Sequence, residues 1–139
     1  MNQPYMASFR FNTYIILFNG ILYNVEYIKK KFISNNLHLD SNSPVEILLK
    51  SYVLNGINIL NDLKGSFSFV IFDFSKKSLL VVRDYLGIKS LYYTLYENTF
   101  IFSSNPENIF LFPKVNNISE LTASHYGIFD FEGLHIKQY

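Results

Sequence analysis

One segment does most to define the architecture of this chain: KGSFSFVIFDFSKKSLLVVRDYLGIKSLYY, residues 64–93. Near its start, phenylalanine and isoleucine alternate with serine and valine, and this period of two predicts a strand with one strongly apolar face. The polar run at residues 74–77 predicts a turn, and the apolar residues after it predict the returning strand. A β-hairpin is therefore expected, followed by a bend at Gly87.

A strand and a helix are predicted before this hairpin. Residues 13–19 are mostly apolar and include β-branched side chains, which predicts a buried strand. Residues 25–32 predict a helix with Asn24 as its N-cap. The lysines at 29–31 are more typical of a solvated helix end than of a phosphate-binding patch, because no aromatic residues are interleaved with them for stacking.

The second helix has the clearest start signal in the sequence. Ser43 is a favourable N-cap, Pro44 suits the first turn, and Glu46 lies three residues after the cap, which together form the capping-box pattern. This helix is expected to run to about residue 54, where Gly56 helps to stop it.

The C-terminal half predicts a series of short antiparallel strands. Two helices followed by such strands are typical of an α+β layered domain and not of a doubly wound one. Strands are expected at residues 90–95, 99–103, 126–129 and 134–137, with a short helix that starts at Pro106 and ends at Pro113.

Length and composition fit one domain. Of the 139 residues, 49% are hydrophobic and 17% are charged, which is ample for one core. The longest apolar run, residues 14–18, is far too short to cross a bilayer, so a cytoplasmic location is expected. The formal net charge of +1 attracts neither nucleic acid nor anionic lipid, so no such partner is expected.

Side chains that bind metals or cofactors are sparse. The sequence has no cysteine, which excludes disulfides, thiolate metal sites and thiol catalysis by these residues. His38, His125 and His135 have no companions at ligand spacing, so no metal site is expected. The six glycines are isolated and form no phosphate-binding loop, so no cofactor is expected either.

Several segments have the order and spacing of one known family. They are RDYLGIKSLYY at residues 83–93, FNGILYN at 18–24, residues 63–73, FSS at 102–104, Gln3-Pro4, and the final segment from His125 to Tyr139. The first four closely resemble RDxxGIKPLYY, FNGEIYN, LxGMFAFALxD and FASE in the glutaminase domain of asparagine synthetases and other class II glutamine amidotransferases. This resemblance covers essentially the whole chain.

The resemblance implies a four-layer αββα sandwich, the fold of N-terminal nucleophile hydrolases, as a single glutamine amidotransferase type 2-like domain over residues 1–139. In the family, the catalytic cysteine, a strand pair and an arginine-containing loop all precede the first matched segment. The chain is therefore expected to lack the first strands and to present an exposed sheet edge or apolar face to a partner. Neither Asn2 nor Ser8 is expected to replace the cysteine.

Asn19 and Gly20 match the residues that form the oxyanion hole in the family. A side-chain amide and a backbone N–H both stabilise a developing oxyanion without changing charge. Asn-Gly is also a common turn, and the residues alone favour a turn that closes the first strand. With the resemblance, we expect a vestigial oxyanion hole.

The groups that hold glutamine in the family are not matched. Ile21 replaces a glutamate, Pro44 falls where an aspartate binds the α-amino group, and Glu46 matches only a structural glutamate. Unpaired burial of a zwitterion costs several kcal/mol. Glutamine binding is therefore not expected.

The best-matched motif is expected to brace the fold, because in the family it supports the sheet and faces the synthetase half. A structural or interface role is assigned to Arg83, Asp84, Gly87, Lys89, Tyr92 and Tyr93. An arginine–aspartate pair is usually either a salt bridge or a loop anchor. The chain departs from the family pattern at Leu86 and Ser90, and at Asn105, where FASE has its acid.

Three functions fit these observations. The favoured one is a degenerate, non-catalytic glutaminase-like domain that is an interaction or scaffold subunit for a separate ATP-dependent, asparagine synthetase-like enzyme, or that self-associates through its exposed sheet. The second is part of an active glutamine-hydrolysing amidotransferase whose cysteine comes from another chain or a missing N-terminus. The third is a module that binds a ligand or peptide in the emptied pocket.

Overall fold

The computed structural model describes residues 5–9, 12–32, 39, 41 and 43–139. The predictions for Asn2, for Gln3-Pro4 and for His38 lie outside these residues. A 3-10 helix spans Gly56–Asp62, between the second helix and the first strand of the predicted hairpin. In chain order, the elements are β1 Tyr5–Phe9, β2 Asn12–Leu22, α1 Val25–Phe32, α2 Pro44–Asn55, β3 Gly65–Asp73, β4 Ser78–Arg83, β5 Tyr92–Tyr96, β6 Thr99–Ser103, α3 Pro106–Phe110, β7 Ser119–Glu120, β8 His125–Asp130 and β9 Gly133–Gln138.

The described strands form two antiparallel sheets. The larger sheet has six strands in the order β1-β2-β3-β4-β8-β9, and the smaller has three in the order β6-β5-β7. The predicted hairpin is β3–β4, and its alternating residues Phe67, Phe69 and Ile71 all lie in the main core. The α+β class is therefore confirmed.

The helices and the smaller sheet cover opposite faces of the larger sheet. On one face, Phe67 of β3 packs in a core with Ile28 of α1 and Leu48 of α2. On the other face, Val70 of β3 packs in a second cluster with Phe100 of β6. The short helix α3 lies against β5 and β6. This order of layers agrees with the four-layer arrangement that the resemblance implies, with α3 packed against the smaller sheet.

β2 continues through the dipeptide that the residues alone predict as a turn. The strand has 11 residues and pairs with β3 past Asn19-Gly20 as far as Leu22. Gly20 has a φ of 133°, and a Cβ at this position would lie 2.1 Å from the Ser66 carbonyl oxygen. The glycine permits a close approach of two strands and not a reversal, so the predicted end of the strand is wrong.

Ser43 caps α2 as predicted, but Glu46 does not complete the capping box. The Ser43 hydroxyl accepts the Val45 N–H at 3.3 Å. The buried Glu46 carboxylate instead accepts the N–H and hydroxyl of Ser41, at 2.7 and 2.6 Å, and pairs with Lys50 Nζ at 2.7 Å. A buried carboxylate needs a compensating cation, and Lys50 supplies one a turn further on.

Other local predictions need smaller corrections. The Asn24 side chain, predicted to cap α1, instead accepts the Lys64 N–H and donates to the Asp62 carbonyl, at 3.0 and 2.8 Å. It therefore ties α1 to the start of β3.

The helix α3 ends at Phe110, before Pro113. The short strands β1 and β7 were not predicted, and the remaining strands have slightly shifted bounds. In the part of the chain that the structure describes, no helix is long and apolar enough to cross a membrane.

Candidate functional site

A cleft of about 330 Å³ lies between the larger sheet and the end of β6. Its floor includes Leu17 and Asn19 of β2 and Val70 of β3, and one wall includes Phe102 and Ser103 of β6. Four serine residues and one asparagine contribute polar groups, and the other described lining residues are apolar. No charged residue is among them, so the described lining supplies no fixed ion to pair with a charged ligand.

The cleft exists because the smaller sheet, as described, does not extend over β1 and β2. We call the uncovered side of these two strands the open face; it carries Met6, Leu17 and Ile21, which are 66%, 37% and 63% exposed. The opposite side of β2 is buried through Ile16 and Phe18, so the strand that was predicted to be buried is buried on one face. The open face is an exposed apolar surface.

Asn19 lines this cleft, and Gly20 is the next residue of β2. Asn19 is exposed on the open face and pairs across the sheet with Ser68, whose hydroxyl donates to the Ser90 carbonyl at 3.2 Å. Ile21, two residues further along β2, points to the same side of the strand. The position of Asn19 is suited to donating a hydrogen bond into the cleft, and its role in an oxyanion hole stays a prediction.

Residues in α2 contribute nothing to the cleft wall. Pro44 is the first residue of α2 and Glu46 is fully buried beside Lys50, whereas the cleft is on the other side of the larger sheet. The groups that would bind the amino and carboxylate ends of glutamine are therefore not supplied by the described lining residues.

The matched motif after β4 forms a loop, residues 84–89, which we call the anchored loop. Its first residue, Asp84, is fully buried. The Asp84 carboxylate accepts backbone N–H groups from Phe67 at 3.2 Å, Leu86 at 3.1 Å, Ile88 at 3.0 Å and Lys89 at 2.9 Å. One side chain thus fixes the whole turn to β3.

Arg83 holds the same loop from its other side. Its guanidinium donates to the carbonyls of Lys89 at 3.1 Å, Gly87 at 2.8 Å and Leu121 at 2.6 Å. It also forms an ion pair with Glu120, at 2.8 Å between Nη2 and Oε1. Of the two roles considered for this arginine–aspartate pair, the structure shows the loop anchor.

Tyr139 forms hydrogen bonds to Arg83 and to Ser124, next to the anchored loop. The Tyr139 hydroxyl donates to the Arg83 carbonyl at 2.6 Å, and the backbone groups of Tyr139 bond to Ser124 at 3.0 and 2.9 Å. Burial, and secondly the nearby Asp84 carboxylate, raise the pKa of Tyr139 well above its usual value. The phenol therefore remains a proton donor throughout the physiological pH range.

The remaining motif residues also have structural positions. Tyr93 stacks on Phe100 at 5.6 Å between ring centroids, within the second cluster. Tyr92 pairs with both Ser103 and Glu120, so it joins all three strands of the smaller sheet. Both tyrosines therefore lie within the smaller sheet, and their bracing role stays a prediction.

Three other positions noted in the sequence have local partners. The Asn105 side chain accepts the Glu107 N–H at 3.0 Å and so caps α3. His125 Nδ1 lies 2.8 Å from the Ala123 carbonyl oxygen, and His135 pairs with Ile128 across β8–β9. Among the described residues, no group of three or more histidine or acidic side chains could hold a metal ion.

Comparison with known families decides the identity of this fold. The sequence model of a family described as a glutamine amidotransferase domain matches residues 1–133. The chain belongs to this family. It is 32% identical over 113 residues to asparagine synthetase (glutamine-hydrolyzing) 3 of Bacillus subtilis, across 81% of this chain and 18% of that protein. It is 36% identical over 102 residues to putative asparagine synthetase (glutamine-hydrolyzing) 2 of Methanocaldococcus jannaschii, across 73% of this chain and 19% of that protein.

The glutamine amidotransferase domain spans about a fifth of the length of these curated relatives. Its fold is similar to that of glutamine phosphoribosylpyrophosphate amidotransferase from B. subtilis, with a TM-score of 0.80, 19% identity, and coverage of 98% of this chain and 31% of that one. The predicted class II amidotransferase family and the predicted N-terminal nucleophile hydrolase-like fold are both confirmed.

Sequence reasoning missed the partners that complete the anchored loop. Glu120, Leu121 and Ser124 were not singled out, although they bind Arg83 and Tyr139. No local pattern marks them, since Leu121 lies 38 residues from Arg83 in the sequence. The only available signal was the matched closing segment that ends at Tyr139.

Proposed function

We propose that this glutamine amidotransferase domain does not hydrolyse glutamine by itself and is an interaction or scaffold subunit for an ATP-dependent, amide-forming enzyme of the asparagine synthetase type. One observation supports this above all: Asn19 lines the cleft, yet the described lining carries no thiol and no charge. A glutamine zwitterion in this cleft would lose hydration without gaining an ion pair. The 139 residues also supply no cysteine to attack the amide.

The anchored loop is the surface that we propose for the partner enzyme. Three of its side chains are well exposed: Tyr85 at 71%, Leu86 at 74% and Ile88 at 58%. Asp84 and Arg83 hold the backbone beneath them, so binding would order few additional groups. Exposed apolar side chains on a rigid support favour a protein interface.

Activity is tested first on the isolated chain. Purified protein incubated with glutamine is expected to release glutamate no faster than buffer does. Release above the buffer rate, after removal of contaminating glutaminases, would overturn the non-catalytic part of the proposal.

Binding is tested with a separately produced asparagine synthetase-type enzyme from the same organism, by isothermal titration. Leu86→Asp is expected to weaken binding by about tenfold or more, because it places a charge in an apolar contact. Leu111→Asp is the matched control, since Leu111 is 80% exposed and lies after α3, outside the loop. Absence of binding, or equal effects of both variants, contradicts the proposed surface.

A second candidate function is catalytic, and the exposed position of Asn19 at the cleft favours it. In this case a cysteine from another polypeptide, or from residues outside this sequence, would attack the glutamine amide to form a thioester and release ammonia for an activated carboxylate. Glutamate release would then appear only with the partner present. Asn19→Ala would lower that rate on the order of 100-fold, whereas Asn98→Ala, in the exposed β5–β6 turn, would not.

A further inference from the structure

We propose that the cleft is a strand-addition site for an uncharged, extended peptide segment. The segment would pair with the free edge of β6 and place alternate apolar side chains on the open face of β2. This inference rests on the cleft and not on the synthetase partner, so each proposal can fail without the other.

The first support is the edge of β6. Over the described residues, β6 has β5 as its one neighbour, and all 5 of its residues pair with β5. In an edge strand, every second residue directs its N–H and C=O away from the sheet. These groups are available to a peptide backbone along a stretch of about five residues.

The second support is the apolar floor beside this edge. Phe102 and Ser103 of β6 line the same cleft as Leu17 and Asn19 of β2. A strand added to β6 would lie about 4.8 Å from it, and stacked sheets are about 10 Å apart, so its inward side chains would reach the open face. Leu17 and Ile21 would then be covered in the same way that the smaller sheet covers Val70.

The third support is the chemistry of the lining. Apolar side chains and a few neutral polar groups form it, and no described lining residue is charged. Burial of a charge here would be unfavourable, whereas a peptide backbone would satisfy its hydrogen bonds at the strand edge. The inward positions of the segment are therefore expected to be apolar and uncharged, and to alternate with outward polar ones.

A second copy of this chain fits the cleft less well than a separate segment does. Pairing of β6 with β6 of another copy would present Phe100 and Phe102 as the inward side chains. In each copy these two rings already pack against its own larger sheet, where Phe100 stacks on Phe129 at 5.2 Å. They are therefore unavailable to fill the cleft of a neighbour.

The test uses the full chain and a synthetic, end-capped peptide in which valine alternates with threonine, with terminal lysines for solubility. Isotope-labelled protein is titrated with the peptide, and backbone amide shifts and hydrogen exchange are measured. Exchange is expected to slow at alternate residues of β6, with shifts at Leu17. The same peptide with N-methylated backbone positions that face β6 is expected to bind at least about tenfold more weakly.

Two protein variants test the floor of the site. Leu17→Glu is expected to weaken peptide binding by about tenfold or more, because it introduces an unpaired charge. Phe131→Glu alters a residue that is 91% exposed in the β8–β9 turn and is expected to leave the affinity unchanged. Both variants are checked for an unchanged free energy of unfolding.

Several outcomes would overturn the inference. These are no detectable peptide binding, binding that N-methylation does not weaken, or equal effects of the two variants. Self-association that protects the same β6 amides without peptide would assign the edge to a second copy and reject a separate peptide.

Discussion

The anchored loop and the cleft are close to each other on the larger sheet, yet their polar groups are used in opposite ways. In the loop, Asp84 accepts four backbone N–H groups and Arg83 donates to three carbonyls. At the cleft, Asn19 is exposed and Leu17 and Ile21 face solvent. The comparison teaches that a close motif match is not by itself a sign of activity, because the best-matched residues here hold the backbone together.

The largest expected effect comes from removal of the loop anchor. Asp84→Ala leaves four backbone N–H groups, partly or fully buried, without their acceptor, and each such loss costs about 1–3 kcal/mol. The free energy of unfolding, measured in urea, is expected to fall by about 4 kcal/mol or more. Asp130→Ala, which removes one exposed bond to the Glu132 N–H, is expected to cost under about 1 kcal/mol. Similar costs for both would mean that the loop is not specially anchored.

The next largest effect is expected at Gly20 in β2, beside the cleft. Gly20→Ala would place a Cβ 2.1 Å from the Ser66 carbonyl oxygen at a φ of 133°, so β2 and β3 must separate. We expect a loss of about 3 kcal/mol in unfolding free energy. Gly133→Ala is the control, since its φ is 115° but no atom lies within 4 Å of its added Cβ. Gly133→Ala is expected to lower the unfolding free energy by about 1 kcal/mol. Equal losses for the two variants would show that the close approach of β2 and β3 does not add to the cost at Gly20.

A smaller effect is expected within the anchored loop. A Cβ on Gly87 would lie 2.9 Å from the Ala123 Cβ, and its φ is 67°. Gly87→Ala is expected to lower the unfolding free energy by about 2 kcal/mol. Gly56→Ala shares the conformation, with a φ of 65° and nothing within 4 Å, and is expected to cost about 1 kcal/mol.

The Gly87 comparison has an internal check. Adding Ala123→Gly to the Gly87→Ala variant removes the crowding atom and is expected to recover the crowding part of the loss. Failure to recover any stability would show that crowding at Ala123 is not its cause. The backbone conformation and the Arg83 guanidinium, 3.3 Å from the added Cβ, would then remain as explanations.

The smallest effect concerns Asp73, a second carboxylate that anchors a turn. Burial raises its pKa, but hydrogen bonds from Asn12, Ser75 and the Lys76 N–H outweigh this, so the pKa lies below 3.8. Because the folded-state pKa is lowered, the stabilisation is complete above the unfolded-state pKa and is lost as pH falls through the folded-state value. Asp73→Asn is expected to cost about 1–2 kcal/mol at pH 7 and progressively less below pH 3.8.

The measurement for Asp73 is urea unfolding at a series of pH values, with the difference between the wild-type chain and the variant taken at each. A difference that does not change with pH would show that the carboxylate charge contributes nothing. In that case, anchoring by carboxylates would be confined to the loop.

Much of the fold was predictable because its signals are local. The alternation in β3 placed Phe67, Phe69 and Ile71 in the core, and Ser43 marked the start of α2. The site was predictable only in part. The family motifs indicated Asn19 and the anchored loop as candidate sites, but they did not indicate which face of β2 is open.

The mistaken predictions share a physical cause. Asn19-Gly20 has the local preference of a turn, but pairing with β3 along the whole of β2 outweighs it. Glu46 has the sequence position of a capping residue, but its buried carboxylate pairs with Lys50 and accepts a hydrogen bond from Ser41. Propensity favours a conformation by about 1 kcal/mol, and long-range pairing and burial exceed that.

The amino-acid sequence alone was enough to predict the hairpin, the two helices, the α+β class and the family. Periodicity, capping and motif spacing are properties of neighbouring residues. Three features needed the folded chain: the strand β1, the partner of Arg83 at Glu120, and the open face beside the β6 edge. Each of these features depends on which distant segments contact each other or on how far one sheet extends over another. Local sequence patterns do not predict such contacts.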